Sequence, residues 1–189
     1  MRKRAAIFMA LFFITFVQGC GYRPLYGRFP SNGGGTTAQL ESIAINPIEY
    51  DVDAKDRLLT TGQGGERTAQ LIRNSLQDQL TPQGRPGNPL YRLSIKVVES
   101  RSTALVNVRD NTTRIIIQLL ASYSLIDTKT NAITFQSKAR AYSAYNVLSA
   151  DYGNVAGEQD ARKRLSVELA ENIRAGLGVY MNRQLSFLP

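Results

Sequence analysis

Three segments of this chain alternate apolar and polar residues with period two, and that alternation constrains the fold more than any other feature. Tyr91, Leu93, Ile95 and Val97 alternate with Arg92, Ser94 and Lys96, the pattern of a strand with one buried face in an antiparallel sheet. Ile115, Ile117, Leu119, Ala121, Tyr123 and Leu125 share one face of a second strand, and Ile133, Phe135, Ala139, Ala141, Tyr145 and Val147 share one face of a third. Thr128 to Asn131 supplies the turn between the second and third. The first two are joined at a tip running from Val108 to Arg114. A three-residue loop at Arg109, Asp110 and Asn111 pairs odd positions with odd positions and puts Leu93 to Val97 on one face with Tyr123 and Leu125. A two-residue Asp110-Asn111 turn needs a bulge near Ser100 to Thr103 to restore that match.

An apolar sheet face has to be covered, and two segments carry helical stripes that can cover it. Ala69, Ile72, Leu76 and Leu80 fall at i, i+3 and i+4 spacing within 66–80, with Glu66 placed to favour the positive helix start. In 158–185, Ala161, Leu165, Leu169, Ile173, Leu177, Met181 and Leu185 recur every fourth residue, so the stripe drifts round the helix. Gly176 and Gly178 are potential kinks in it, each costing about 1 kcal/mol relative to Ala. A further strand is expected over 40–47, where Ile43 and Ile45 share a face and Pro47 ends the pairing. Residues 50–65 read as polar and turn-like. The expected fold is α+β, a two-layer sandwich with one four-stranded mixed or antiparallel sheet covered by two helices, in the order β-α-β-β-β-α.

The N-terminus carries an address. Arg2, Lys3 and Arg4 precede an apolar run from Ala5 to Val17, 13 residues long. A spanning helix needs about 20 residues, so the run reads as a signal peptide. It ends at Val17-Gln18-Gly19-Cys20, which resembles the lipobox of bacterial lipoproteins, although Gln18 stands where a small residue is usual. That resemblance implies cleavage before Cys20 and acylation of its thiol and new amino group. Gly21 in the following position, by the sorting rule of enteric bacteria, implies the outer membrane. The division is therefore a signal peptide at 1–19, a lipidated tether rich in Gly, Pro and aromatics at 20–37, and one α+β domain at 38–189.

Composition excludes whole classes of chemistry. The chain has no histidine and one cysteine, so triad hydrolysis, histidine zinc sites and intrachain disulfides are impossible. The formal net charge of +8 invites a nucleic-acid reading. Residues 20–189, however, hold 20 basic against 15 acidic residues, a moderate excess that suits anionic lipid or phosphorylated glycolipid. No nucleic-acid partner, metal or cofactor is expected beyond the acyl chains on Cys20, and no enzymatic activity. Gly62-Gln63-Gly64-Gly65 lacks the Gly-Lys-Ser/Thr ending of a phosphate loop and reads as a flexible helix entry. Asp51, Asp53 and Asp56 lack the glycine and distal glutamate of a calcium loop and read as a solvated turn. Arg101, Arg109 and Arg114 lie on or near the exposed hairpin tip, where guanidinium groups can take phosphate in bidentate fashion or simply blunt an edge. Tyr142, Tyr145 and Tyr152 offer an aromatic surface, with Tyr145 on the apolar face.

Cys20-Gly21-Tyr22-Arg23-Pro24-Leu25-Tyr26-Gly27 resembles the mature start of the LptE family of lipopolysaccharide-assembly lipoproteins in its alphaproteobacterial form, and the element order over 40–185 agrees with that family's fold. The resemblance implies an outer-membrane lipoprotein on the periplasmic face that plugs an LptD-type β-barrel, assists its assembly and takes part in placing lipopolysaccharide in the outer leaflet. It also implies lipopolysaccharide contact by basic residues at the loop between the second and third strands of the fold, here Arg109, with Arg114 as a second candidate. Two other classes remain open from the residues. A periplasmic lipid-binding or transporter-auxiliary lipoprotein requires an apolar cavity between sheet and helices. A hydrolase requires a concave site with paired carboxylates of perturbed pKa.

Overall fold

The computed structural model describes residues 36–53, 63–82, 84, 86–107, 112–147 and 151–186. Its elements are α1 (Thr36–Glu41), β1 (Ile43–Ile45), β2 (Glu49–Val52), α2 (Gln63–Leu80), β3 (Tyr91–Asn107), β4 (Thr112–Asp127), β5 (Ile133–Val147) and α3 (Asp151–Ser186). The architecture is α+β, as the alternation predicts, with a mixed sheet of five strands. β3, β4 and β5 form an antiparallel meander, while β1 and β2 lie one after the other along β3, both parallel to it. Pro47 separates these two short strands because it has no N–H for a ladder. The expected strand over 40–47 thus contracts to Ile43–Ile45, with a turn of helix before it. A second strand appears at Glu49–Val52, within the stretch that begins the expected polar turn. Four residues are too few for periodicity to announce, and pairing with β3 forms the strand.

Odd-numbered residues of β3 and β4 face the helices, so Leu93, Ile95, Val97, Ile117, Leu119 and Leu125 are almost wholly buried. Each contributes on the order of 1.5–3 kcal/mol through removal from water. The β3–β4 pairing is odd with odd from Tyr91–Asp127 to Leu105–Thr113, and shifts once between Leu105 and Asn107. The bulge therefore falls nearer the tip than Ser100 to Thr103. A second irregularity, between Leu125 and Ile126, pairs Ile126 with Ile133. Ile133 consequently leaves the covered face expected for it and stands 57% exposed. At the β4–β5 turn the carboxylate of Asp127 accepts from the amides of Lys129 and Thr130 at 2.8 and 2.9 Å. Those bonds, Thr130's foremost, hold its carboxyl below the usual range. Asn131 completes the turn at φ 56°, a conformation Asn tolerates.

The helical stripes behave as their spacing predicts. Ile72, Leu76 and Leu80 of α2 and Ala161, Leu165, Leu169, Ile173, Leu177 and Met181 of α3 are buried. Gln63 to Gly65 form the first turn of α2, where a flexible entry was expected. Helix α3 begins at Asp151, ahead of the expected start, and runs unbroken through Gly176 and Gly178. Gly176 has a packing reason: a Cβ there would lie 2.2 Å from the Tyr123 hydroxyl. No described helix is long and apolar enough to cross a membrane.

Candidate functional site

Two of the three residues singled out from the sequence, Cys20 and Arg109, lie outside the described residues. Arg114 is described: it is exposed on β4, two residues from the start of the strand, between Ala104 of β3 and Asn146 of β5. Its even number puts it on the sheet face turned away from the helices. On that face Lys96, Ser122 and Lys138 form one cross-strand row, and Val98, Leu120 and Arg140 the next. Lys96, Arg114, Lys138 and Arg140 are all exposed. Acidic residues on this face, among the described strands, are Glu49 and Asp51 of β2, across from Lys96 and Val98. The surface over β3 to β5 thus carries serine hydroxyls and exposed cations. Neighbouring strands are about 4.8 Å apart, so the backbones of Lys96 and Lys138 stand about 10 Å apart.

Arg101 belongs elsewhere. Its odd number turns it under the helices, where its Nε donates to Glu99 Oε1 at 2.9 Å and its Nη2 to Glu158 Oε1 at 2.6 Å. The structure therefore removes it from the hairpin tip and places it in a buried ionic cluster. Glu99 is fully buried at the centre of that cluster. Arg162 of α3 grips it with Nη1 on Oε2 at 2.9 Å and Nη2 on Oε1 at 3.0 Å. The same guanidinium donates to Thr68 of α2 at 2.8 Å and to Glu158 at 3.1 Å, and the Tyr50 hydroxyl of β2 donates to Glu99. Burial, and then the Glu99 charge, push the Tyr50 phenol well above its ordinary pKa. One carboxylate thus joins β2, β3, α2 and α3. Glu99 was not singled out from the sequence, although a signal was there: it continues the parity of Leu93, Ile95 and Val97, and a charge in an apolar series signals a buried partner. Which partner is decided by packing, because Arg162 is 63 residues away.

Glu158 is the half-exposed outer member. Burial raises its pKa, and the charges of Arg101 and Arg162 more than offset that, leaving it below the usual carboxylate range. The Tyr145 hydroxyl lies 3.4 Å from it, and burial and then the Glu158 charge raise that phenol. A carboxyl whose pKa is lower in the folded chain adds stability that is complete above the ordinary carboxylate pKa and is lost as pH falls through the folded value. Glu158→Gln is therefore expected to remove part of the acid dependence of stability below about pH 4.5. Urea midpoints at pH 7 and across pH 5 to 3 measure it; identical acid limbs in the two proteins would refute the assignment.

Glu99 and Glu158 are brought together on the same two guanidinium groups, which favour the charged form of Glu158. A general acid needs the opposite environment. Clefts lie beside these elements and over β4 and β5. One of about 660 Å³ lies between α2 and the start of α3, lined by Arg67, Leu71, Val155 and Lys163 among others. A second, about 500 Å³, lies between β2 and α2. A third, about 350 Å³, lies over Ser122, Ser124, Gln136 and Lys138 of the sheet. Of the tyrosines, Tyr142 and Tyr152 are exposed at 52% and 87%, while Tyr145 packs against the core.

No family model matches the chain, and no curated protein matches it. Solved structures do. A protein assigned as a lipoprotein from Caulobacter crescentus CB15 superposes with a TM-score of 0.56 at 18% identity, covering 79% of this chain and 96% of that one. A protein assigned as a neuraminyllactose-binding hemagglutinin homologue from Helicobacter pylori gives a TM-score of 0.51 at 10% identity, covering 87% and 96%. At these identities the likeness is one of fold: an α+β domain with a mixed open sheet and helices packed on one face.

Proposed function

We propose that this chain is an outer-membrane lipoprotein of the LptE type, anchored through Cys20, that plugs and assists assembly of an LptD-type β-barrel and takes part in lipopolysaccharide insertion. The observation that carries the reading is Cys20-Gly21-Tyr22-Arg23-Pro24-Leu25-Tyr26-Gly27 directly after a basic and apolar leader. The match in fold to a protein assigned as a lipoprotein supports it. So does a compact domain with one polar, cationic sheet face, which suits a polar barrel lumen and phosphorylated glycolipid. The reading includes no catalytic step.

The comparisons speak equally for a lipid-binding or transporter-auxiliary lipoprotein. That alternative needs an apolar cavity between sheet and helices. Here Ile72, Leu76, Leu165, Leu169 and Ile173 pack against Leu93, Ile95, Ile117 and Leu119 in one buried cluster, and the clefts above carry charged or hydroxyl residues.

The test is mild-detergent extraction of native membranes, pull-down on a C-terminally tagged chain and mass identification after stringent washing. A stoichiometric large β-barrel protein is expected. Recovery alone, or with an inner-membrane transporter, would replace this reading with the auxiliary one. Within the same proposal, Arg109→Glu and Arg114→Glu are each expected to weaken lipopolysaccharide binding several-fold at moderate salt, by reversing a phosphate contact. Circular dichroism should be unchanged. Unaltered binding in both would leave the hairpin tip as a solvated turn.

A further inference from the structure

We infer that the seat of α3 along the sheet is chosen by two features that do not repeat, the Arg162–Glu99 ion pair and the Gly176–Tyr123 notch, and not by the apolar stripe that supplies most of its burial. The stripe is Ala161, Leu165, Leu169, Ile173, Leu177 and Met181, each almost completely buried and each four residues from the next. A screw motion of one such step, about 6 Å along the axis and about 40° around it, superimposes the helix backbone on itself. It sends Leu165 to the place of Ala161 or Leu169, Leu169 to that of Leu165 or Ile173, and Leu177 to that of Ile173 or Met181. Swaps among Leu165, Leu169, Ile173, Leu177 and Met181 exchange side chains of similar volume and cost little; the volume changes only at the Ala161 end, so most of this stripe discriminates poorly between neighbouring seats.

Arg162 does discriminate. A step in one direction puts Ser166 against the buried Glu99, a hydroxyl in place of a bidentate guanidinium. A step in the other puts Glu158 there, carboxylate against carboxylate. Either takes from the buried Glu99 its bidentate partner and leaves only Arg101 and the Tyr50 hydroxyl on it, which is costlier than a repacked leucine. Gly176 is the second mark. The space for a Cβ at this position ends 2.2 Å away at the Tyr123 hydroxyl, and a step brings Asn172 or Tyr180 to it. One mark works by charge in the first half of the helix and the other by shape in the second half. Polar pairs that fix register at little net gain in stability are the best-attested use of buried ions.

Disulfide trapping tests this, because a Cβ on Gly157 would lie 3.5 Å from the Tyr145 Cβ, within the range a disulfide spans. In a full chain carrying Cys20→Ser, the pair Tyr145→Cys with Gly157→Cys reads the present seat. Tyr145→Cys with Ala161→Cys, or with Gly153→Cys, reads the seats one step away. With both marks intact, only the first pair should oxidise quickly. Tyr50→Phe, Glu99→Leu and Arg162→Met together with Tyr123→Leu remove both marks and leave no carboxylate stranded at the centre. In that background one of the shifted pairs is expected to form its disulfide at about a tenth of the rate of the first pair or faster. Restoring Tyr50, Glu99 and Arg162 should suppress it again. Trapping that stays exclusive to the first pair would overturn the inference. Loss of cooperative thermal unfolding in the unmarked chain would overturn it too, since the marks would then hold the fold and not merely choose among seats.

Discussion

Arg162→Ala is expected to destabilise the protein by about 3–5 kcal/mol, the cost of leaving a buried charge unpaired. Glu99 has no route to water: it is fully buried, and Arg162 supplies two of its donors. Arg101 remains on Oε1, which lowers the cost from that of a wholly isolated charge but does not replace the bidentate grip. For a chain of this length the loss corresponds to a fall in Tm of about 6–20 °C. The paired replacement Glu99→Leu with Arg162→Met should lie much closer to the parent, because it removes the charge together with its partner. Thermal and urea unfolding of Glu99→Leu, Arg162→Met and the double form a complete cycle, with Arg162→Ala measured beside it. A double variant as unstable as Arg162→Ala would show that the cluster contributes net stability beyond mutual compensation.

The second large effect concerns membrane attachment. Under the proposed function, Cys20→Ser is expected to release the chain from membranes while leaving the fold of residues 36–186 intact. A single acyl chain binds a bilayer only marginally, with a partition constant of about 10⁴ M⁻¹, and firm anchoring takes two or more. Each buried methylene adds about 0.8 kcal/mol, so three chains make release negligible on a cellular timescale. The experiment is alkaline extraction of membranes from cells lacking the partner barrel, with mass analysis of the N-terminal peptide. The parent should stay in the pellet carrying acyl mass, and the Cys20→Ser chain should be washed off. A Cys20→Ser chain that still pellets would mean that something other than acylation holds the protein.

These predictions divide along the line between local pattern and tertiary contact. The two sheet faces and the helical stripes of α2 and α3 were legible, because each rests on a periodicity of 2 or about 3.6 to 4 that the backbone itself imposes on neighbouring residues. The mixed sheet and the layer of helices followed, since the apolar face needed a cover. Glu99 was passed over, although its parity sets a charge in an apolar series. β2 was not legible, because its four residues pair only once β3 is in place. Arg101, read as part of an exposed tip, was misplaced, since its direction depends on where the bulge falls.

What the sequence determined by itself is therefore the set of surfaces to be buried and the order in which they occur. What only the tertiary structure decided is how those surfaces are seated. The choice of Arg162 as the partner of Glu99, the displacement of Ile133 to the open face and the fit of Gly176 beneath Tyr123 all depend on groups far apart in the chain. Hydrophobic burial is non-directional and rewards any close-packed arrangement, whereas a buried charge needs a donor set against it and a missing Cβ a neighbour that fills its space. Such a neighbour is specified by distance in space, which the linear order of residues does not contain.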